Sequence, residues 1–226
     1  MIIATTSDTH GDTPTIPKCD LLIHCGDILR TFFGRQPQCR QLECDSQKMW
    51  WQDIGEEWLE SIDTPEIIII PGNHDFLFEQ YQHKLDQLIP KLKNKIIHIV
   101  TNDVITTKHT NLKVLCNSWT PYFLSWAFNG PENPIDAQEF FDKMYDKFTN
   151  QTVDIVATHG PPKSVLDITN RNQQSVGCAE LGRLVKLIKP KYHIFGHIHE
   201  ARGAKVDDSG LIHYINTACV VNSIVL

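Results

Sequence analysis

The sequence predicts an α/β fold, and two observations carry that expectation. Short aliphatic and β-branched runs recur along the 226 residues, and the stretches between them space apolar residues at helical intervals. The runs are apolar throughout, as expected of mostly parallel strands buried on both faces. In chain order they cover residues 2–7, 20–25, 66–70, 153–157 and 192–195. Further strands are expected at 112–117, 211–216 and 223–226, so the chain ends in a strand-rich segment. Trp50, Ile54, Trp58 and Ile62 recur every four residues after a cap expected at Asp45 or Ser46. Tyr81, Leu85, Leu88, Ile89 and Leu92 form a second stripe, and Phe140, Phe141, Met144, Tyr145 and Phe148 a third. Leu181, Leu184, Val185 and Ile188 form a fourth, stopped by Pro190. Residues 34–44 read as a polar loop, and residues 1–226 as a single domain.

Composition narrows the function classes. Formal charge is −6, and no run of Lys or Arg suggests a groove for nucleic acid. No apolar run is long enough to span a membrane, so no membrane partner is expected. The first residues lack the basic segment of a signal peptide and reach Asp8 quickly. Seven cysteines, an odd number without a CxxC pair, point to reduced thiols in the cytoplasm and away from a structural zinc site.

Five of the strand-like runs end in residues that bind divalent metals. They lead to Asp8 and His10, to Asp27 after Gly26, to Gly72-Asn73-His74-Asp75, to His159, and to Gly196-His197-Ile198-His199. Open α/β sheets build their sites just beyond such strand ends. Asp8, His10, Asp27 and His199 are assigned to one ion, and Asp27, Asn73, His159 and His197 to a second, with Asp27 bridging. Mixed nitrogen and oxygen donors suit manganese best, with iron or zinc as alternatives, over magnesium or calcium. Two divalent ions, two carboxylates and a bridging hydroxide leave one net positive charge, in a site fit to accept a phosphate ester. Such a hydroxide forms near neutral pH, at a pKa of roughly 7 in the best case for zinc, so no serine or cysteine nucleophile is needed. His74, left over beside Asn73, is expected to protonate the leaving oxygen or to stabilise the charge developing on it. Asp75 either orients the His74 imidazole or caps the segment that follows.

In this order, DxH, GD, GNHD, H and GHxH resemble the calcineurin-like metallophosphoesterase superfamily, over nearly the whole chain. The resemblance implies a four-layer α/β sandwich of two facing mixed sheets flanked by helices, with a two-metal site. Residues 22–27, 118–129, 158–162, 176–178 and 195–200 are similar to the small branch typified by brain metallophosphoesterase-domain proteins. Some members of that branch lack the first histidine of GHxH; His197 is present here, so full metal loading is expected. Residues 30–46 run longer than the family pattern. The resemblance implies a small phosphodiester substrate, including cyclic nucleotides, cut by direct attack of the bridging hydroxide. A phosphomonoesterase is the runner-up. A protein phosphatase fits less well, because the resembled phosphatases carry Arg and Glu where this chain has Pro71 and Asp75. A metal-binding regulator without catalysis is the rival from another class; it would be favoured by loss of a ligand or of His74, and neither is lost. Oligomeric state is left open.

Around the site, Trp119 and Tyr122 are the aromatic residues expected to touch substrate, and Arg202 is weighed between a phosphate contact and an exposed surface position. His24, His98, His193 and His213 read as packed or surface residues, and His83 and His109 as solvated.

Overall fold

A computed structural model describes residues 1–226, and its eleven strands form two mixed sheets. In the first, β1 (Ile2–Thr6), β2 (Leu21–His24), β3 (Glu66–Ile69) and β4 (Ile96–Ile99) run parallel, and β11 (Asn222–Val225) closes the edge antiparallel to β1. In the second, β6 (Lys113–Asn117), β7 (Ile155–Thr158), β8 (Tyr192–Phe195) and β10 (His213–Asn216) run parallel. Here β5 (Asn102–Thr106) and β9 (Gly203–Val206) form antiparallel edges.

Side-chain alternation turns these sheets into four layers. Ile3, Leu21, Ile23, Ile68 and Ile70 face inward, against Val114, Cys116, Ile155, Ala157 and Ile194 of the other sheet. Their neighbours Ala4, Leu22, Ile67 and Ile69 point the opposite way, under the helices that follow β2 and β3. Leu115, Val156 and Phe195 do the same under the helices of the second half. Each central strand is therefore wet on neither face, which is why its sequence lacks alternation.

The helices depart from expectation in two places. α1 (Arg40–Trp50) begins well before Asp45 and Ser46, which lie inside it, so the loop expected at 34–44 is shorter. Glu43 and Gln47 of α1 are buried because their side chains serve the preceding loop: the Glu43 carboxylate accepts the backbone N–H groups of Phe32, Phe33 and Gly34. A π-helical turn over Trp51–Gly55 then leads into α2 (Glu56–Ser61). That wider turn shifts the helical phase, so Trp51 is buried and Ile54, expected in the core, is exposed. The second expected stripe is no continuous helix. α3 (Phe76–Gln80) ends before the stripe's first residue, Tyr81; Leu85 and Leu88 fall in a 3-10 turn at Leu85–Leu88, and Pro90 bars continuation to Leu92.

The other two helices follow the sequence. α4 (Pro134–Asp146) starts at Asn133, whose side chain accepts from the N–H groups of Ile135 and Asp136, with proline at the first helical position. α5 (Ala179–Ile188) ends at Lys189 in a left-handed conformation just before Pro190. Strands β4, β5 and β9 were not expected; β4 is apolar except for His98, which interrupts its isoleucines, whereas β5 is only partly buried and β9 is exposed throughout, so neither of these shows an apolar run. All seven cysteines are free thiols.

Candidate metal centre

The loops leaving β1, β2 and β3 of one sheet meet those leaving β7 and β8 of the other. They bring Asp8, His10, Asp27, Asn73, His74, His159, His197 and His199 together. Four of these sit in the left-handed region without being glycine: Asp8 at φ 56°, His10 at 47°, Asp27 at 55° and His197 at 71°. Each such residue stores on the order of 1–3 kcal/mol and persists because its surroundings over-determine it. The Asp8 N–H donates to Gly26 O at 2.8 Å, and the His10 N–H to Asp27 O at 2.8 Å, which stitches the first two loops together. Glycines let the backbones close in. A Cβ at Gly72 would overlap the Asp27 carboxylate, and one at Gly196 would overlap that of Asp8.

The donor atoms form two adjoining groups. His199 Nε2 lies 3.1 Å from Asp8 Oδ1 and 3.4 Å from His10 Nε2. His159 Nε2 lies 2.8 Å from Asn73 Oδ1, 3.2 Å from His197 Nδ1 and 3.5 Å from Asp27 Oδ2. Asp27 Oδ2 is also 3.9 Å from His10 Nε2, which puts its carboxylate between the groups. His159 Nδ1 donates to Cys25 O at 2.8 Å, so in the neutral ring its Nε2 carries the lone pair and aims it at Asn73 Oδ1. Two lone-pair atoms this close need a cation between them, a proton in the free cluster or a metal ion in the loaded one. The cluster fits divalent metal binding on that ground.

Mutual charge holds the cluster together. Burial works against ionisation of Asp8, yet the His199 hydrogen bond and the charge of His159 hold its carboxyl well below the usual range. Burial likewise works against protonation of His159, but the Asp27 and Asp8 carboxylates keep its imidazole above its ordinary value. Burial, seconded by His159, pushes His197 down to about 4, the neutral state that ligation requires.

His74 stands beside this cluster, with Nε2 3.9 Å from Asp27 Oδ2. Its backbone N–H donates to Asp27 Oδ1 at 2.7 Å, and its carbonyl accepts from Gln47 Nε2 at 2.7 Å. Its Nδ1 lies 2.8 Å from the Thr31 hydroxyl, and the Trp126 ring stacks on its imidazole at 4.0 Å between centroids. Burial keeps the imidazole below its usual pKa despite Asp27, and an arriving phosphate anion would favour the protonated form.

The expectation that Asp75 orients His74 is corrected here, and so is the capping alternative. The Asp75 side chain makes no cap bond to α3. Instead its buried carboxylate accepts the N–H groups of Asp27 (2.9 Å), Leu29 (2.8 Å) and Gly72 (2.7 Å), with Ile28 at 3.4 Å. It ties the Asp27 loop to the Gly72 loop. Burial and the Asp27 charge raise its pKa to about 7, against the pull of the backbone donors. The imidazole partner is Thr31, from the loop that α1 shapes.

Two cavities flank the cluster. One, of about 420 Å³, is lined by Asp27, Asn73 and His74 and by Tyr122, Phe123 and Trp126. The other, of about 610 Å³, is lined by Asp8, His10 and Asp12 and by Thr13, Cys219 and Val221. They share His199, and no Lys or Arg lines either. Tyr122 thus stands where expected, but Trp119 does not. It packs edge-on against Phe128 and Phe140 and faces a separate surface cavity. Arg202 is exposed, outside the lining of both cavities, where the chain turns into the edge strand β9. Trp126 holds the place given to Trp119. Its aromatic character was visible in the sequence, but the path of its loop was not: Arg40 of α1 fixes that loop by donating to Ser125 O at 2.9 Å. Thr31, Glu43 and Gln47 carried no sequence signal.

Comparison with known proteins adds a family and a fold. The family model for calcineurin-like phosphoesterases matches residues 1–201. Metallophosphoesterase domain-containing protein 1 of Homo sapiens is 31% identical over 96% of this chain, and its Mus musculus counterpart gives the same figures. The chain spans 65% of the length of each of these relatives. A solved structure with 14% sequence identity superposes with a TM-score of 0.68, covering 95% of this chain and 89% of its own, which is a likeness of fold.

Proposed function

The chain belongs to the calcineurin-like phosphoesterase family, and from that premise we propose that it is a metal-dependent hydrolase of small phosphodiesters. Asp8, His10, Asp27 and His199 would hold one ion, and Asp27, Asn73, His159 and His197 a second, with manganese the best match and iron or zinc next. When bound, the ions supply Lewis acidity that ionises a water and offsets phosphate charge. The residues of the chain do the rest. The His74 imidazole, oriented by Thr31 and Trp126, delivers a proton to the leaving oxygen. The oxygen of water forms a new bond to phosphorus, the bond to the leaving alcohol breaks, and the products are an alcohol and a phosphomonoester. Seven free thiols support a reducing, cytoplasmic setting.

One observation carries the preference for diesters: no Lys or Arg lines either cavity. A monoester brings about two negative charges at neutral pH and needs positive side chains beyond the metals. A diester brings a single charge, which the net positive charge expected of the centre matches. The same lining disfavours polynucleotides, whose binding draws on several Lys or Arg contacts.

The test is a turnover panel with added manganese. Bis(4-nitrophenyl) phosphate and the 2′,3′- and 3′,5′-cyclic nucleotides are expected to be cut at least about tenfold faster than 4-nitrophenyl phosphate or oligonucleotides. Faster cleavage of the monoester would overturn the diesterase reading in favour of a phosphomonoesterase and leave the metal assignment standing.

A further inference from the structure

Two cavities meeting at one metal cluster are more than a single small phosphate ester needs. Resting on the diesterase reading, we infer that an acyclic diester straddles the centre. Its leaving alcohol lies in the aromatic cavity beside His74, and its retained alcohol in the cavity of Thr13, Cys219 and Val221.

The assignment of arms follows from which side chains line which space. His74, the proton donor, lines the aromatic cavity and not the other, so the alcohol that departs belongs there. That cavity also carries Tyr122, Phe123 and Trp126, which offer flat apolar surface to an aromatic or otherwise apolar leaving group. The second cavity adjoins Asp8, His10 and His199 but offers no proton donor placed like His74. It suits the arm that stays on phosphorus. At about 610 Å³ it holds a substituent of sugar or benzyl size, not only a methyl group.

The chemistry of the second cavity restricts that arm further. Asp12 is exposed at its wall, the Asp8 carboxylate borders it, and no Lys or Arg lines it. The retained alcohol is therefore uncharged or cationic and carries no phosphate of its own. A cyclic nucleotide, whose two ester oxygens belong to one ribose, cannot place separate arms in both cavities and fills the aromatic one alone.

Thr13 and Cys219 provide the tests. Thr13 is exposed on the cavity wall, so Thr13→Trp fills the space without entering the core. The substitution is expected to lower kcat/KM for benzyl 4-nitrophenyl phosphate roughly tenfold or more, and that for methyl 4-nitrophenyl phosphate or a cyclic nucleotide less than about twofold. Cys219 is the exposed thiol of the chain, the others being buried or half-buried. Its alkylation, followed by peptide mass spectrometry on the manganese-loaded protein, gives a readout independent of turnover. Dibenzyl phosphate should slow alkylation about fivefold or more, while benzyl phosphate and inorganic phosphate, which lack a second arm, leave it nearly unchanged. Equal protection by dibenzyl and benzyl phosphate, or equal losses across retained groups in Thr13→Trp, would overturn the two-cavity inference even if diesters remain the better substrates. Protection by dibenzyl phosphate alone, with no diester turned over, would sustain the two-cavity inference and overturn the diesterase reading.

Discussion

His74 is fixed by contacts from four separate segments: the Thr31 hydroxyl, the Trp126 ring, the Gln47 amide and the Asp27 carboxylate. The proposed assignment gives His74 to the leaving group and not to a metal, so His74→Ala should keep the bound ions and the fold while lowering turnover about a hundredfold or more, and metal content by elemental analysis checks the first half. The loss should shrink for a nitrophenolate leaving group, which needs no proton, and a comparison of nitrophenyl and alkyl diesters checks this. His193 shows how a histidine unconnected with catalysis behaves. The Thr158 hydroxyl donates to Gly160 O at 2.7 Å, so His193 Nε2–H donates to that hydroxyl at 2.9 Å, and buried Nδ1 is left without a partner. A proton there would be a buried charge with no acceptor, and burial accordingly lowers the pKa from 6.5 to about 3. Because the folded value lies below the unfolded one, the unfolded chain binds the extra proton. Stability is therefore full above about pH 6.5 and lost as pH falls toward 3, by on the order of 4 kcal/mol. Denaturant midpoints measured across that window should fall with acid, and less steeply in His193→Gln, with buried His24 and His197 among the groups that supply the remaining slope.

At the scale of elements, Gly55 sets two effects against each other. Alanine in a helical interior normally gains about 1 kcal/mol over glycine. Here the added Cβ would come within 2.8 Å of the Trp51 ring and 3.1 Å of the Trp50 ring, both buried. Gly55→Ala should thus destabilise, by roughly 1–3 kcal/mol, because the core cannot give way on that side; urea unfolding reads the sign directly. The same region marks the limit of what the sequence discloses. β1, β2, β3, β7 and β8 were legible because burial on both faces writes an uninterrupted apolar run, and the five motifs were legible because they follow those runs. The π-helical turn was not, since a repeat of four residues through Trp50, Ile54 and Trp58 reads as an ordinary helix. Edge strands β5 and β9 were missed because exposure frees their composition, and β4 because His98 breaks its run of isoleucines. Thr31, Gln47 and Trp126 reach His74 across long sequence separations, and only the packing of α1 and the 119–129 loop brings them there. The misplacement of Trp119 has the same origin.

Across the whole molecule, the cluster draws donors from both sheets, Asp8, Asp27 and Asn73 from one and His159 and His197 from the other. The unfolded chain scatters these residues, so metal binds the folded state and raises its stability by about 2.7 kcal/mol at a hundred times the dissociation constant. For a chain of 226 residues that should move the thermal midpoint by roughly 5–10 °C, and a melt repeated in chelator should show the corresponding drop. The left-handed backbone at Asp8, His10, Asp27 and His197 pulls in the opposite direction. Glycine at any of these positions would relax the loop, and a library screened for heat resistance in metal-free buffer should therefore accumulate losses at these four sites. Survivors of such a screen would be sturdier proteins and poorer catalysts. Directed evolution of this scaffold calls for the divalent metal in the selection medium from the first round.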